Sequence, residues 1–532
     1  MSMHTSDQSQ HTVAQGNAAS AQAVAQTSKG TPRTGKRVIN RQKEKTPMAE
    51  QNPATRTGNF REVGLGYTLE QARHEASRCL QCKNAPCIGG CPVGVNIPRF
   101  LKLLAEGSPI DAYLSVKETN ALPAICGRVC PQETQCEGVC RRGRAGEPVA
   151  IGRLERFVAD WGAAHRAQVV ARRKELAQSD TRADEVADSI CEGNTDTLHS
   201  RNACRDLSSC RVALVGSGPA SLTCAGELAR AGVQATVFEA LHTAGGVLSY
   251  GIPEFRLPKD LVAREISYIK DQGVTFEFNA VVGKLYDVDE LLGSMGFDAI
   301  FIGTGAGVPR YLGIPGEGLN GVSVANELLE RVNLMKAYRF PDYATPVYAG
   351  SHCVVVGGGN VAMDAARTAR RLGSDVTVVY RRGREEMPAR DEEIRHAEQE
   401  GITFDLLNNP TRAIDDGNGW ISELECIRME LGEPDASGRR RPQPIAGSEH
   451  RMPCDMLISA IGSRINPLVP QTVAGLEVTD RGAIVADEQT GATSVPGVYA
   501  GGDDVSGAAT VILAMGAGKR SAHAIIDYLS RG

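Results

Sequence analysis

The run Arg211-Val-Ala-Leu-Val-Gly-Ser-Gly-Pro-Ala-Ser221, followed by Ala235-Thr-Val-Phe-Glu239, decides the fold. A short apolar strand enters a glycine turn, an amphipathic stretch through Leu228 reads as a helix, and a second strand ends on a carboxylate. That order is a dinucleotide-binding βαβ unit. Gly216 makes the tight turn, Gly218 admits a pyrophosphate to the backbone, and the helix start offers N–H groups and its positive dipole end. Glu239 stands where the adenosine ribose hydroxyls are held. Ser221 replaces the usual third glycine; that position serves close helix–strand packing, where a small Ser is tolerable.

The unit recurs farther along as Cys353-Val-Val-Val356, Gly357-Gly-Gly359-Asn360-Val-Ala362, a helix through Arg371 and a strand Val376-Thr-Val-Val379. No carboxylate ends this second strand; Tyr380-Arg381-Arg382-Gly383-Arg384 follows instead. A carboxylate there repels a 2'-phosphate, whereas guanidinium groups pair with it bidentately, so NADP(H) is expected over NAD(H). The competing reading is a solvated basic turn, because Glu385 and Glu386 follow at once. One acidic and one basic unit suggest one flavin and one nicotinamide dinucleotide. A third fragment, Gly497-Val-Tyr-Ala-Gly501-Gly502-Asp503 ahead of a helix from Ala508 to Ala524, supports the flavin, since an aspartate there can hold its ribityl or pyrophosphate region.

Working outward, 532 residues exceed one ordinary core, so two or three domains are expected. A formal charge of -5 gives no pull toward nucleic acid or anionic membrane, and no window approaches the roughly 20 apolar residues of a membrane helix. The start carries no apolar segment of the signal-peptide kind, and a cytoplasmic location is expected. Residues 1–46 read as a disordered tail and 47–170 as a small α-helical domain. Residues 171–210 read as a polar linker or insertion; 211–310 with 466–532 form an FAD-type domain, and 311–465 an NADPH-type domain inserted within it. The fold class is therefore α/β, two Rossmann-like dinucleotide-binding domains of the glutathione-reductase kind preceded by a helical iron–sulfur domain.

The helical domain is assigned by its cysteines. Eight of the 15 fall between Cys79 and Cys140: Cys79, Cys82, Cys87 and Cys91 before Pro92, then Cys126, Cys130 before Pro131, Cys136 and Cys140. The iron–sulfur pattern C-x2-C-x2-C-x3-C-P differs only in its middle gap, and four thiolates per cubane would make two clusters of eight. The alternative is a pair of structural zinc sites, although zinc usually joins two pairs a dozen or more residues apart. Cys224, Cys353, Cys426 and Cys454 read as small buried apolar residues, and Cys191, Cys204 and Cys210 match no ligand pattern.

From about Met48 onward the chain resembles the small (beta) subunit of NADPH-dependent glutamate synthase. It also resembles the large subunit of NADH-dependent ferredoxin:NADP oxidoreductase and, more distantly, the N-terminal half of dihydropyrimidine dehydrogenase. The resemblance is carried by Ala76-Ser-Arg-Cys-Leu-Gln-Cys82, Cys91-Pro-Val, Gly127-Arg-Val-Cys-Pro131, Gly152-Arg-Leu-Glu-Arg-Phe157, Gly245-Gly-Val-Leu-Ser-Tyr-Gly-Ile-Pro-Glu-Phe-Arg256 and Tyr380-Arg-Arg-Gly-Arg-Glu-Glu-Met-Pro388. It implies two 4Fe-4S clusters with interleaved ligands, one on Cys79, Cys82, Cys87 and Cys140, the other on Cys91, Cys130, Cys136 and Glu155, with Cys126 a non-ligand. It further implies an FAD site with Gly216, Gly218, Ser221, Glu239, Gly246, Arg256, Gly502 and Asp503, and an NADPH site with Gly357, Gly359, Asn360, Arg381, Arg382, Ala460 and Gly462.

The implied chemistry is hydride transfer from NADPH to FAD and single-electron release into the clusters, which requires orientation and electrostatic tuning but no acid–base triad. Glutamate synthesis also needs a glutaminase and an FMN barrel, for which no length is left, so that chemistry is expected on a partner. The first reading is thus the electron-input subunit of glutamate synthase, acting with its large subunit or another flavin/iron–sulfur partner. The second is the NADPH-binding subunit of a ferredoxin-coupled complex, bifurcating or not. The third is a zinc-stapled interaction module fused to a nicotinamide oxidoreductase. A thioredoxin-reductase-like activity is disfavoured, because the nicotinamide unit has only isolated Cys353 and no C-x-x-C.

Overall fold

The computed structural model describes residues 40–191, 206–434, 438 and 440–531, with the backbone alone over 179–191. Three helices of the cysteine-bearing part, Ile97–Ala105, Pro109–Lys117 and Pro123–Val129, carry proline in the first turn, where a missing N–H costs nothing. The stripe Ile97, Phe100, Leu101 and Leu104 is fully buried, as its spacing dictates. The helix Ile151–Ala164 crosses Pro123–Val129 at Gly127, where a Cβ would lie 2.4 Å from the Arg156 nitrogen. Only glycine permits that approach, and it brings Cys126 and Cys130 beside Glu155.

Two five-stranded parallel sheets follow. The first runs Val498–Ala500, Ala299–Ile302, Arg211–Val215, Gln234–Glu239, Thr275–Phe278; its central strands Ala299–Ile302 and Arg211–Val215 are apolar on both faces, whereas the edge strand Thr275–Phe278 alternates with exposed Thr275 and Glu277. The second runs Thr403–Leu406, Asp375–Tyr380, His352–Val356, Met456–Ser459, Val322–Val324. The second sheet lies wholly within the sequence gap between two strands of the first, and Val308–Pro309 pairs with Ser463–Arg464 where the chain crosses over and back. An antiparallel sheet of Asn408–Asp415, Ile421–Pro434, Arg440–Pro444 and His450–Pro453 is an addition the sequence reading did not foresee, although Ile421, Leu424, Cys426 and Met429 of its long strand are buried. The C-terminal helix Val511–Arg531 packs on Pro219–Arg230, and Gly518 is the point of contact: a Cβ there would meet the Ala220 oxygen at 2.0 Å.

Two boundaries differ from the sequence expectation. Residues 40–46 are packed: buried Arg78 donates to the carbonyls of Gln42 and Lys43, and the Thr46 N–H donates to Glu75 at 2.7 Å. Order there comes from satisfying a buried guanidinium, which leaves no apolar signature in the segment itself. The stretch read as a linker begins inside a helix, Arg166–Cys191, which is anchored by buried Val169 and by Arg172 pairing with Asp111 at 2.8 Å. The remaining expectations for residues 1–39 and 192–205, and for the side chains of Cys191 and Cys204, lie outside the described residues. No helix among the described residues is long and apolar enough to cross a membrane.

Candidate functional site: a shared cavity and two thiol shells

The first glycine turn leaves the strand Arg211–Val215 at Gly216, whose φ of +88° is costly for any side chain and whose Cβ would stand 2.7 Å from the Gly303 oxygen. Gly218, just ahead of the helix, faces open space, with only the Gly303 oxygen at 3.9 Å, so a phosphate can reach the backbone. Ser221 takes the third glycine position because its neighbour gave way: Gly303 lacks the Cβ that would sit 2.3 Å from the Ser221 hydroxyl. Glu239 is buried at the strand end, with one oxygen accepting from the Ser217 N–H at 2.9 Å and the other from the Leu241 N–H at 2.8 Å. The Ser217 hydroxyl donates to the same oxygen as the Ser217 N–H, so it is the oxygen facing Leu241 that keeps accepting capacity beyond one bond.

A cavity of about 390 Å³ gathers Gly216, Gly218, Glu239, Gly246, Gly502 and Asp503. Burial raises the Asp503 carboxyl above its ordinary range, opposed by the Ala509 N–H. The same cavity is walled by Arg256, by Asn360 and Asp364 of the second unit, and by Val129 and Pro131 on either side of Cys130. Its open glycine backbones and convergent carboxylates fit a flavin dinucleotide.

In the second unit, Gly357 bars a side chain because a Cβ would meet the Ala460 oxygen at 2.4 Å, and Gly359 faces open space with only Pro388 at 4.0 Å. Asn360 opens the helix Asn360–Arg371, and its side-chain oxygen accepts from the Arg390 N–H at 3.0 Å. Ala460 is buried below this turn, and Gly462 has φ +99° at the crossover. The two arginines after the strand are placed differently. Arg381 is exposed, whereas Arg382 is buried and donates to the Arg440 carbonyl at 2.9 Å.

The cysteines sort into two shells. Cys79, Cys82, Cys87 and Cys140 line one small cavity. Burial pushes Cys87 up to about 12, with Cys140, Cys79 and Cys82 adding to the effect. Gln81, in the left-handed region at φ +51°, turns its N–H and side-chain amide toward Cys79 Sγ at 3.5 and 3.4 Å. The other shell is Cys91, Cys130 and Cys136 around Glu155. Burial pushes Cys91 up to about 11, with Glu155 next in effect; Cys130 is raised first by its hydrogen bond with Cys126 and by burial, Cys136 first by burial and Glu137, and Glu155 adds to both. Glu155 accepts from the Asn120 amide at 2.7 Å through Oε1, and burial pushes its carboxyl up to about 7. Cys126 is buried beside Cys130 and contacts Met515 Sδ at 3.5 Å.

Cys79, Cys87, Cys130 and Cys136 are buried, and thiols so placed are inert as nucleophiles and become thiolates when a metal takes them. Sulfurs on one zinc, each about 2.3 Å from it, lie less than ~4 Å apart. Among the described residues only Glu50, Glu392 and His396 bring three such ligand atoms within 4.8 Å of one another. The Glu50 group is an ion-pair cluster, with Arg395 donating to Glu50 at 3.1 Å. Cys210, Cys224, Cys353, Cys426 and Cys454 are buried free thiols within the core.

Sequence reasoning missed three residues that hold these parts together. Asp504, next to Asp503, accepts from Thr304 Oγ1 at 2.7 Å and the Gly305 N–H at 2.9 Å, pinning two strand ends of the first sheet. Asn120 holds Glu155. Arg390 reaches from the second unit to Glu133 at 3.0 Å and Gln132 at 3.2 Å, joining it to the cysteine-bearing part. Nothing in their sequence neighbourhoods marks them, because their partners are distant along the chain; only Asp504 had a cue, as a second acid in the Gly-Asp pair.

Residues 56–167 match the family described as dihydropyrimidine dehydrogenase domain II, 4Fe-4S cluster, and residues 210–518 match the pyridine nucleotide-disulphide oxidoreductase family. The chain is 40% identical over 459 residues to the NADP(+)-dependent formate dehydrogenase subunit beta of Moorella thermoacetica, covering 84% of this chain and 60% of that subunit's length. It is 35% identical over 476 residues to the glutamate synthase (NADPH) small chain of Escherichia coli, covering 88% of this chain and 94% of that one. FprA of Mycobacterium tuberculosis in complex with NADPH shares the fold at TM-score 0.50 and 22% identity, over 60% of this chain and 84% of FprA. With a 4Fe-4S domain, an FAD and pyridine-nucleotide pair of domains and near end-to-end similarity, the chain belongs to the glutamate synthase small-chain family of NADPH-dependent iron–sulfur flavoprotein oxidoreductases.

Proposed function

We propose that the chain is the electron-input subunit of an NADPH-dependent glutamate synthase, delivering electrons to a large subunit that makes glutamate from glutamine and 2-oxoglutarate. The observation that carries this reading is the single cavity shared by the Gly216 turn, Asn360 of the Gly357 turn, and the residues flanking Cys130. Bound there, FAD turns the two electrons of a hydride into single electrons that 4Fe-4S clusters can carry. The chain's residues supply position. Gly216 and Gly218 take the flavin pyrophosphate, Glu239 the ribose, Gly357 and Gly359 the nicotinamide dinucleotide, and Arg381 with Arg382 its 2'-phosphate. The shell of Cys91, Cys130, Cys136 and Glu155 abuts the cavity; that of Cys79, Cys82, Cys87 and Cys140 lies beyond it, with Leu80 and Lys83 exposed at the surface. The cluster that Cys79, Cys82, Cys87 and Cys140 would hold is thus the one placed to pass electrons to a partner.

The second reading is the same input module serving another flavin/iron–sulfur complex, such as a ferredoxin:NADP oxidoreductase. It is favoured by the 40% identity to a formate dehydrogenase subunit. Purified chain is mixed with a glutamate synthase large chain, and NADPH oxidation is followed with glutamine and 2-oxoglutarate. Acceleration that needs both substrates supports the first reading; none, alongside turnover with a ferredoxin, supports the second.

A further inference from the structure

We propose that Lys519 positions the cluster of Cys91, Cys130, Cys136 and Glu155 and tunes its potential; this rests on the ligand set assigned above. The helix Val511–Arg531 begins at the flavin cavity, where Val511 and Ala514 form part of the wall, and continues along the cysteine-bearing part. Successive residues of the helix meet the shell of this cluster. Met515 Sδ lies 3.5 Å from Cys126 Sγ, and Gly516 packs so closely on Pro92 that a Cβ would stand 2.9 Å from its oxygen. One turn on, Lys519 Nζ donates to the Thr119 carbonyl at 3.1 Å and faces the Val93 carbonyl at 3.4 Å.

Those two carbonyls belong to the two segments that build the site. Val93 follows Cys91 in the Cys91-Pro-Val loop, and Thr119 precedes Asn120, whose amide holds Glu155 Oε1 at 2.7 Å. One ammonium from the flavin-bearing domain therefore ties the Cys91 loop to the holder of Glu155. A cubane with thiolate and carboxylate ligands is anionic, and reduction adds another negative charge. A half-buried cation beside it, only partly screened by solvent, favours the reduced state and raises the potential. Lys519 thus acts on the cluster that abuts the flavin cavity, and does so only while the two domains are docked.

The test uses the full chain, reconstituted anaerobically, as wild type, Lys519→Met and Lys519→Arg, with iron counted and each cluster titrated by EPR-monitored potentiometry. The expected result is full iron in all three, with one of two couples moved to a more negative potential in Lys519→Met. The shift should be a tenfold change in oxidised-to-reduced ratio, 59 mV for one electron. The other couple should stay put and Lys519→Arg should restore the first. Loss of one cluster in Lys519→Met but not in Lys519→Arg would equally support the positioning role. Unchanged couples, equal shifts of both, or cluster loss in both variants would overturn it. A wild-type chain holding fewer than two clusters would instead overturn the ligand assignment.

Discussion

Arg256 Nη1 donates to both carboxylate oxygens of Asp364, at 2.7 and 2.6 Å, while its Nε faces Glu393 at 3.0 Å. Arg256 lies on the loop that walls the cavity, and Asp364 on the helix that starts at the second glycine turn, so one buried guanidinium locks the two nucleotide-binding domains in register. Burial pushes Asp364 up to about 6 even with Arg256 beside it. Arg256→Ala strands two buried acids, and a loss of about 3–5 kcal/mol is expected by chemical denaturation. Arg256→Lys should not rescue it, since one ammonium cannot reach Asp364 and Glu393 at once as the Nη1 and Nε ends of the guanidinium do.

Glu400 predicts the acid limb of stability. Burial alone would raise it, but Arg367 and Arg371 hold it at about 2 against an ordinary 4.5, and Arg56 donates to it from the cysteine-bearing part at 2.8 Å. With the folded-state value below the unfolded one, its stabilisation is complete above pH 4.5 and is lost as pH falls toward 2. Glu400→Gln should flatten that limb and cost about 3 kcal/mol at neutral pH, read from denaturation curves across pH.

Cofactor discrimination should divide between the two arginines. Exposed Arg381 makes no side-chain hydrogen bond or ion pair among the described residues, so Arg381→Ala should weaken NADPH binding roughly 10- to 100-fold with little effect on NADH or on stability. Arg382 is buried and bonded to the Arg440 carbonyl, so Arg382→Ala should also lower the melting temperature. Equal losses for NADPH and NADH in Arg381→Ala would remove the 2'-phosphate role.

The eight cysteines should not be equivalent. Cys130→Ser should drop iron from about eight to about four per chain while flavin stays bound. Cys126→Ser, a neighbour whose sulfur meets Met515, should keep both clusters. A fall to about four iron per chain in Cys126→Ser would make it a ligand and displace Glu155 from that role.

The glycine turns at Gly216 and Gly357 were legible because their function depends on local backbone geometry, which the sequence writes directly as glycine. The cysteine clusters were legible by spacing, but their division into two shells was implied only by resemblance; the crossing at Gly127 that brings Glu155 to Cys130 depends on two helices distant in sequence. The order of residues 40–46 and the joints made by Arg256, Arg390 and Glu400 were invisible for the same reason, since a buried charge is stabilised by partners far along the chain. The role of Gly518 shows the converse: its presence within a helix was plain, and its cause, contact with the Ala220 oxygen, needed the fold.

The central claim, that electrons pass from the shared cavity through the Cys130 shell to a partner, is tested most directly by stopped-flow on wild type and Cys130→Ser with a glutamate synthase large chain. Flavin reduction by NADPH should proceed alike in both, while reoxidation by the large chain, with glutamine and 2-oxoglutarate present, should fall to background in Cys130→Ser. Reoxidation of that variant at the wild-type rate would contradict the account.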